Sequence, residues 1–152
     1  MKLLDRAVEL LVGALLVALV VTAFAQVVAR YLFNRPFTWV LELDIFLMVW
    51  ATFLAGYAGV RRDAHLRVDY FLARLTPPRR RLAALAGRLL SIAFVLVLGV
   101  RSFDVIRAME GIGFTSIPLG MDLLYWSLPV GSALMLVALV HGLVGDWRRR
   151  DA

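Results

Sequence analysis

The sequence contains no cysteine, only five prolines and few charged residues. Without cysteine, the chain has no disulfide framework, no thiolate metal site and no cysteine nucleophile. Charged residues make up 18% of the 152 residues and hydrophobic residues 62%, whereas soluble domains are roughly 45–50% apolar. A water-soluble fold of this length could not bury so much apolar surface. The composition therefore predicts an integral membrane protein, with residues 1–152 forming a single membrane domain.

Motifs of known chemistry are also missing from the sequence. It has no phosphate-binding loop, no HExxH zinc motif and no serine elbow. Glu42 and Asp44 are two residues apart on a predicted helix, so they face different directions and do not suit an acid–base pair. We expect them to form ion pairs at the outer membrane surface, with Arg30 or Arg35. The sequence predicts a protein that is not an enzyme and holds no metal and no cofactor.

Four apolar stretches are long enough to cross a bilayer, whose core of about 30 Å needs roughly 20 helical residues. The first and the last carry no charge. The second has Glu42 and Asp44 near its start and the third contains Arg88, positions from which charged side chains reach the interface. The predicted fold is therefore all-α, with four transmembrane helices. They cover about residues 10–29, 41–60, 82–103 and 123–145.

Basic residues are distributed unevenly between the connections. Cytoplasmic segments of membrane proteins carry an excess of Lys and Arg. Twelve basic residues lie in the N-terminal segment, the connection between the second and third spans, and the C-terminal tail, against four in the other two connections. This bias predicts that both termini and the middle loop lie in the cytoplasm. Topology thus accounts for the net charge of +6, and we expect membrane lipid, not nucleic acid, as a partner.

The cytoplasmic loop has two readable features. Residues 69–75 place apolar side chains beside Arg74, which predicts a short interfacial helix, although a plain basic loop is an alternative. Thr76 suits the N-cap of the third span and Pro77 its first helical residue.

The outer connection between the third and fourth spans is rich in turn formers. The stretch from Gly111 to Gly120 predicts a loop, and we expect Pro118 or Asp122 to open the last span. Pro129 interrupts that span in its outer third, where a tolerated kink is the simplest interpretation.

The first span has a second interpretation as a cleaved signal peptide. Ala23-Phe24-Ala25 resembles a cleavage site after an apolar stretch. The acidic residues Asp5 and Glu9 and the length of the apolar run favour a retained span.

The middle of each predicted span is apolar. The charged residues nearest to the span midpoints are Asp44 and Arg88. At a rise of 1.5 Å per residue, each lies about 9 Å from the membrane centre. Proteins that move ions or polar solutes by themselves usually place ionisable groups near the midplane. A small multidrug exporter would carry a glutamate in the first span, and residues 10–29 have none. The midpoints are Leu19, Trp50, Phe94 and Leu134.

Two further patterns leave alternatives open. Small residues recur at helical spacing in the first three spans and allow close helix packing, within the chain or against a partner. His65 and His141 lie near the cytoplasmic helix ends, so a redox membrane anchor with haem or quinone is an alternative function. The small residues include Ala14, Ala18, Thr22, Ala51, Ala55, Gly59, Ala83, Gly87, Ser91 and Gly99.

Three segments carry a family resemblance. Residues 30–39 read RYLFNRPFTW and are followed by Glu42; residues 62–69 read RDAHLRVD; and Ile117-Pro118 precedes a Leu128-Pro129-Val130-Gly131 run. Together they resemble the small membrane subunit of TRAP transporters, the tripartite ATP-independent periplasmic family. At Val40, Leu41 and Asp44 the sequence differs from the family, which commonly has a polar residue and a second acid after the tryptophan.

The resemblance implies a function. In that family a periplasmic binding protein delivers an organic acid to a sodium-driven membrane complex, in which the large membrane subunit carries substrate. The small subunit is similar to a static brace that helps dock the binding protein, in the bacterial cell inner membrane. The partner-interface residues implied at the outer surface are Arg30, Asn34, Arg35, Pro36, Trp39 and Glu42. Those implied as structural are His65, Arg67 and Asp69 in the cytoplasmic loop and Pro118, Pro129 and Gly131 near or in the last span.

Overall fold

The computed structural model describes residues 2–35, 37–61 and 76–148. Within these ranges every regular element is a helix. Four of the helical segments are long and apolar enough to cross a membrane, so the prediction of an all-α fold with four spans is confirmed. Pro36 and the predicted interfacial helix, together with His65, Arg67 and Asp69, lie outside the described residues. The helices are α1 (Lys2–Leu32), α2 (Thr38–Arg61), α3 (Pro77–Met109), α4 (Met121–Tyr125) and α5 (Ser127–Arg148).

The start of α3 follows the local sequence. The helix begins at Pro77, and Thr76 occupies the N-cap with an extended backbone, as predicted. Proline suits a first helical turn because its missing N–H would have no partner inside the helix. The Thr76 side chain makes no capping hydrogen bond. Its carbonyl accepts the Arg80 N–H at 2.9 Å, so the backbone alone closes the first turn.

The last span begins at Met121, with Gly120 as its N-cap. Of the two predicted openings, Asp122 lies in the first turn of the span, one residue after its start, whereas the prediction of Pro118 is wrong. Pro118 lies too early because the loop makes a tight turn around it, in which the Leu119 N–H donates to the Ile117 carbonyl at 2.8 Å.

A turn at Trp126 divides the last span into α4 and α5. Pro129 explains its position. Proline has no N–H to donate to the carbonyl four residues earlier, and its ring crowds that carbonyl. The carbonyl belongs to Tyr125, the last residue of α4. The neighbouring bond survives, since the Val130 N–H donates to the Trp126 carbonyl at 3.3 Å.

The long helices pack side by side in a row. α1 contacts α2, α2 contacts α5, and α5 contacts α3, whereas α1 and α3 do not touch in the described part of the chain. Following the predicted orientation, the inner end of the row holds the start of α1 and the end of α2, and the outer end is opposite. One buried cluster of Val8, Leu54, Tyr57 and Ala138 joins α1, α2 and α5 in the inner half.

A polar cluster closes the inner end. The Asp5 carboxylate accepts hydrogen bonds from the Tyr57 hydroxyl at 2.6 Å and from two guanidinium nitrogens of Arg61 at 2.8 and 2.9 Å. The other terminal nitrogen of Arg61 lies 3.5 Å from Nδ1 of His141. A bidentate carboxylate–arginine pair is stronger and more directional than a single hydrogen bond. The cluster therefore fixes the start of α1 against α2 and α5.

Close approach between the central helices depends on glycine and serine. A Cβ added to Gly131 of α5 would lie 2.7 Å from the Cβ of Phe53 in α2. A Cβ on Gly99 of α3 would lie 3.2 Å from that of Ser132 in α5. Other members of the small-residue pattern, Gly59 and Gly87, have open space instead. Only some of the pattern packs within the chain, because each helix in a row has at most two neighbours.

We expect Gly131→Ala to lower the melting temperature of the purified protein in detergent. The added methyl overpacks the α2–α5 contact, which typically costs 1–3 kcal/mol, on the order of a core overpacking mutation. Gly87→Ala is the matched control, since its methyl enters open space and alanine favours helix over glycine by about 1 kcal/mol. Equal melting temperatures for the two variants would contradict the packing described above.

Candidate functional site

The outer end of the row brings together three segments that are distant in sequence. They are the turn between α1 and α2, the first turns of α2, and the outer loop, defined here as residues 110–120. Glu42 joins the last two. Its Oε1 accepts the Thr115 N–H at 3.0 Å. Its Oε2 accepts the N–H groups of Ser116 at 2.7 Å and Ile117 at 3.2 Å.

Hydrogen bonds to an ionised carboxylate are roughly twice as strong as those between neutral groups. Three successive backbone N–H groups that converge on one anion form a concave donor site. The outer loop is also closed on itself, since the Phe114 N–H donates to the Leu119 carbonyl at 3.0 Å and the Met121 N–H to the Ile112 carbonyl at 2.8 Å. Glu42 therefore holds an already compact loop against α2.

The predicted ion pair of Glu42 with Arg30 or Arg35 is not formed among the described residues. The carboxylate is instead occupied by the outer loop, more than 70 residues away in sequence. Backbone N–H groups are present at every residue except proline, so they leave no mark in the sequence. The partner of Glu42 could not be read from side-chain chemistry alone.

The turn between α1 and α2 is fixed by backbone geometry. Asn34 has φ of +50°, a left-handed conformation that asparagine tolerates better than most residues and that often ends a helix. The Arg35 N–H then donates to the Ala29 carbonyl at 3.1 Å. From within α1, the Gln26 Oε1 accepts the Phe37 N–H at 3.0 Å. No motif or spacing in the sequence marks Gln26 for this role.

The second acid of α2 also turns inward. Asp44 and Thr22 of α1 share a short hydrogen bond between the carboxylate and the hydroxyl. Thr22 also lies within hydrogen-bonding distance of the Ala18 and Leu19 carbonyls. Asp44 therefore contributes to the contact between α1 and α2, and it forms no ion pair with the arginines of the turn.

Arg30 and Arg35 are exposed. Neither guanidinium makes a hydrogen bond or ion pair within the described ranges. Trp39 is also partly exposed, with its ring centroid 5.9 Å from that of Phe37. An amphipathic aromatic ring at this level suits the membrane–water interface. At the outer end, the two acids are therefore bonded inside the chain, whereas the arginines and aromatic residues are exposed.

The remaining predicted residues fall at different depths. Pro118 lies at the exposed tip of the outer loop, near Glu42 in the fold. Pro129 and Gly131 lie below it in α5, at the helix break and at the contact with Phe53. Pro36 and the residues of the cytoplasmic loop belong to the part of the chain that is not described.

In residues 2–35, 37–61 and 76–148, no three His, Asp or Glu side chains are grouped so that they could hold a metal ion. Of the two histidines in the haem hypothesis, His65 is outside these ranges. His141 is exposed beside the Arg61 guanidinium.

Comparison with known proteins gives one matching family model. Its description is "Tripartite ATP-independent periplasmic transporters, DctQ component", and it matches residues 19–149. The C4-dicarboxylate TRAP transporter small permease protein DctQ of Vibrio cholerae is 34% identical over 101 residues, 66% of this chain and 43% of that protein. The protein of the same description from Rhodobacter capsulatus is 29% identical over 168 aligned residues, 89% of this chain and 74% of its own length.

A longer relative is also similar to this chain. The sialic acid TRAP transporter permease protein SiaT of Haemophilus influenzae is 28% identical over 146 residues, which are 93% of this chain and 23% of SiaT. The chain therefore spans less than half the length of two of these three relatives, and most of the Rhodobacter protein.

We expect Glu42→Gln to accelerate hydrogen–deuterium exchange at the amides of Thr115, Ser116 and Ile117. The amide side chain loses the negative charge and turns an N–H₂ group toward N–H donors. A hydrogen bond to a charged group contributes about 1.5–3 kcal/mol, so local protection should fall by about tenfold or more.

The matched control is Glu110→Gln. Glu110 lies at the other end of the outer loop and is exposed, with no side-chain hydrogen bond in the described ranges. Unchanged exchange in Glu42→Gln, or an equal change in Glu110→Gln, would show that the Glu42 carboxylate does not hold the loop.

Proposed function

We propose that this chain, which belongs to the family of small membrane subunits of TRAP transporters, is a non-catalytic scaffold. It would brace the large membrane subunit. In this proposal the complex imports organic acids with sodium ions. A periplasmic binding protein delivers the substrate, and the outer end of the small subunit helps to dock it. The chain itself neither binds substrate in the membrane nor catalyses a reaction.

The observation that carries the proposal is that the row of helices exposes many large apolar side chains among the described residues. In the most apolar stretch of α1, no residue is buried by the part of the chain that the structure describes. Membrane helices associate through close packing and shared polar contacts, and in the described part of the chain α1 packs along its length against α2, with α5 reached only near the inner end. An uncovered edge helix suits a subunit that lies beside a larger membrane protein.

The polar groups inside the row support a structural role. Asp44 is bonded to Thr22, and the guanidinium of Arg88 lies against α5 near Gly142. Neither position is at the centre of a span, where carriers usually place ionisable groups. The relatives support the partner, since SiaT contains a region similar to this chain within a permease about four times as long.

We further propose that the chain is a multi-pass inner-membrane protein with both termini in the cytoplasm. The charge bias between connections supports this orientation. It makes the inner end cytoplasmic and the outer loop periplasmic, on the side where a soluble binding protein would meet it.

The scaffold role predicts that the tagged chain co-purifies with a large polytopic membrane protein. Vesicles that contain both subunits, supplied with the binding protein, should take up an organic acid under an inward sodium gradient. The panel should include C4-dicarboxylates, sugar acids and sulfonates. Vesicles with the small chain alone should show no uptake above a choline-gradient control, and sodium-dependent flux in them would refute the scaffold role.

The orientation predicts opposite labelling of two threonine positions in whole cells. The chain has no cysteine, so single variants report one site each. Thr115→Cys in the outer loop should react with a membrane-impermeant maleimide once the outer membrane is permeabilised. Thr76→Cys, equally exposed but at the inner end, should react only after cell lysis. The reverse pattern would invert the proposed topology.

A further inference from the structure

The first turn of α3 presents two arginines at the inner end of the row. Arg79 and Arg80 follow directly after Pro77 and Pro78, and both arginines are exposed. The first turn of α3 has no acidic residue, and neither guanidinium makes a hydrogen bond or an ion pair within the described ranges. The part of the chain that the structure describes therefore leaves this charge without a counter-ion. We call Arg79 and Arg80 the inner arginine pair.

The inner arginine pair lies at the level of the lipid headgroups. The helix α3 begins at Pro77, whereas its stretch that is apolar enough to cross a membrane begins at Leu85. Arg80 precedes Leu85 by a little over one helical turn, which is about 7.5 Å along the helix axis at 1.5 Å per residue. The headgroup layer on each side of a bilayer is about 5–7 Å thick. The two guanidinium groups are therefore at the depth where phospholipid phosphates lie.

An exposed apolar face continues from the pair toward the middle of the membrane. Residues three or four apart lie on the same face of a helix, and every member of the series that starts at Arg79 is exposed. Leu82 is 69% exposed and Leu90 72% exposed. A positive charge at headgroup depth above an unbroken apolar face matches an anionic phospholipid, which has a charged phosphate above its acyl chains. The apolar members of the series are Leu82, Ala86, Leu90, Ala93 and Val97.

We propose that the inner arginine pair binds the phosphate of an anionic phospholipid, whose acyl chains lie along this face of α3. The guanidinium fork pairs with phosphate oxygens in a bidentate manner, and basic residues just outside a span attract anionic headgroups. A protein partner would have to bring acidic side chains into the headgroup layer, whereas the cytoplasmic leaflet already contains anionic lipid. The inference does not depend on the scaffold role, because it concerns the surface of this chain alone.

The test uses the full chain in phosphatidylcholine vesicles that contain a small fraction of phosphatidylglycerol with a photoactivatable group in its acyl chain. After illumination, peptide mass spectrometry locates the attached lipid, which we expect on residues 82–97. Labelling there should fall about tenfold or more in Arg79→Gln/Arg80→Gln, because each basic residue near an anionic surface strengthens binding about fivefold. Arg79→Lys/Arg80→Lys should retain most of the labelling, since lysine keeps the charge.

The matched control is Arg30→Gln/Arg35→Gln. It also removes two exposed arginines, but at the outer end of the row, and it should leave the labelling of residues 82–97 unchanged. An equal loss of labelling in this control would overturn the inference, since the effect would then be one of net charge. Circular dichroism spectra that match the wild type show that the variants are folded.

Three further outcomes would overturn the inference. Equal labelling by a photoactivatable phosphatidylcholine would show that the face collects any lipid and that the arginines select no headgroup. Loss of labelling on addition of millimolar inorganic phosphate would show that the pair takes the free ion. Loss of labelling in vesicles that contain the complex with the large subunit would show that this subunit covers the face. A complex that does not form at all contradicts the proposed function, whereas labelling of the chain alone still supports the lipid site.

Discussion

A carboxylate at a membrane surface must find hydrogen-bond donors, and Glu42 finds them in the backbone of a distant loop. Its two oxygens accept the N–H groups of Thr115, Ser116 and Ile117. This contact joins the outer loop to α2 and so ties together two segments of the outer end that are more than 70 residues apart in sequence.

The same contact decides the charge of the outer end. An acid that is bonded to backbone amides is not available to a neighbouring arginine, and Asp44 is likewise bonded to Thr22. Positive charge therefore remains on the exposed side chains of Arg30 and Arg35.

The two ends of the row differ in their polar chemistry. At the inner end, Asp5 pairs with Arg61 and Tyr57, so acid and base neutralise each other within the chain. At the outer end, acids are paired with backbone N–H and hydroxyl groups, and bases are left outside. Between the two ends, helices approach closely through Gly131, Gly99 and Ser132, while the described residues bury none of the most apolar stretch of α1. Polar side chains thus pair with one another at the inner end, whereas the outer end leaves its arginines exposed.

Composition and periodicity by themselves determined the all-α class and the four spans. A chain of this composition can cross a hydrocarbon layer only as long apolar helices. The sequence also determined the start of α3 at Pro77, since the fixed φ of proline and its missing N–H act locally. The turn that Pro129 causes is also a local effect, because the carbonyl that loses its hydrogen bond lies only four residues earlier in the sequence. Tertiary structure alone decided the order of helices in the row and the partners of Glu42 and Asp44. Those depend on groups brought together from distant segments, and for Glu42 on backbone amides that are the same in every sequence.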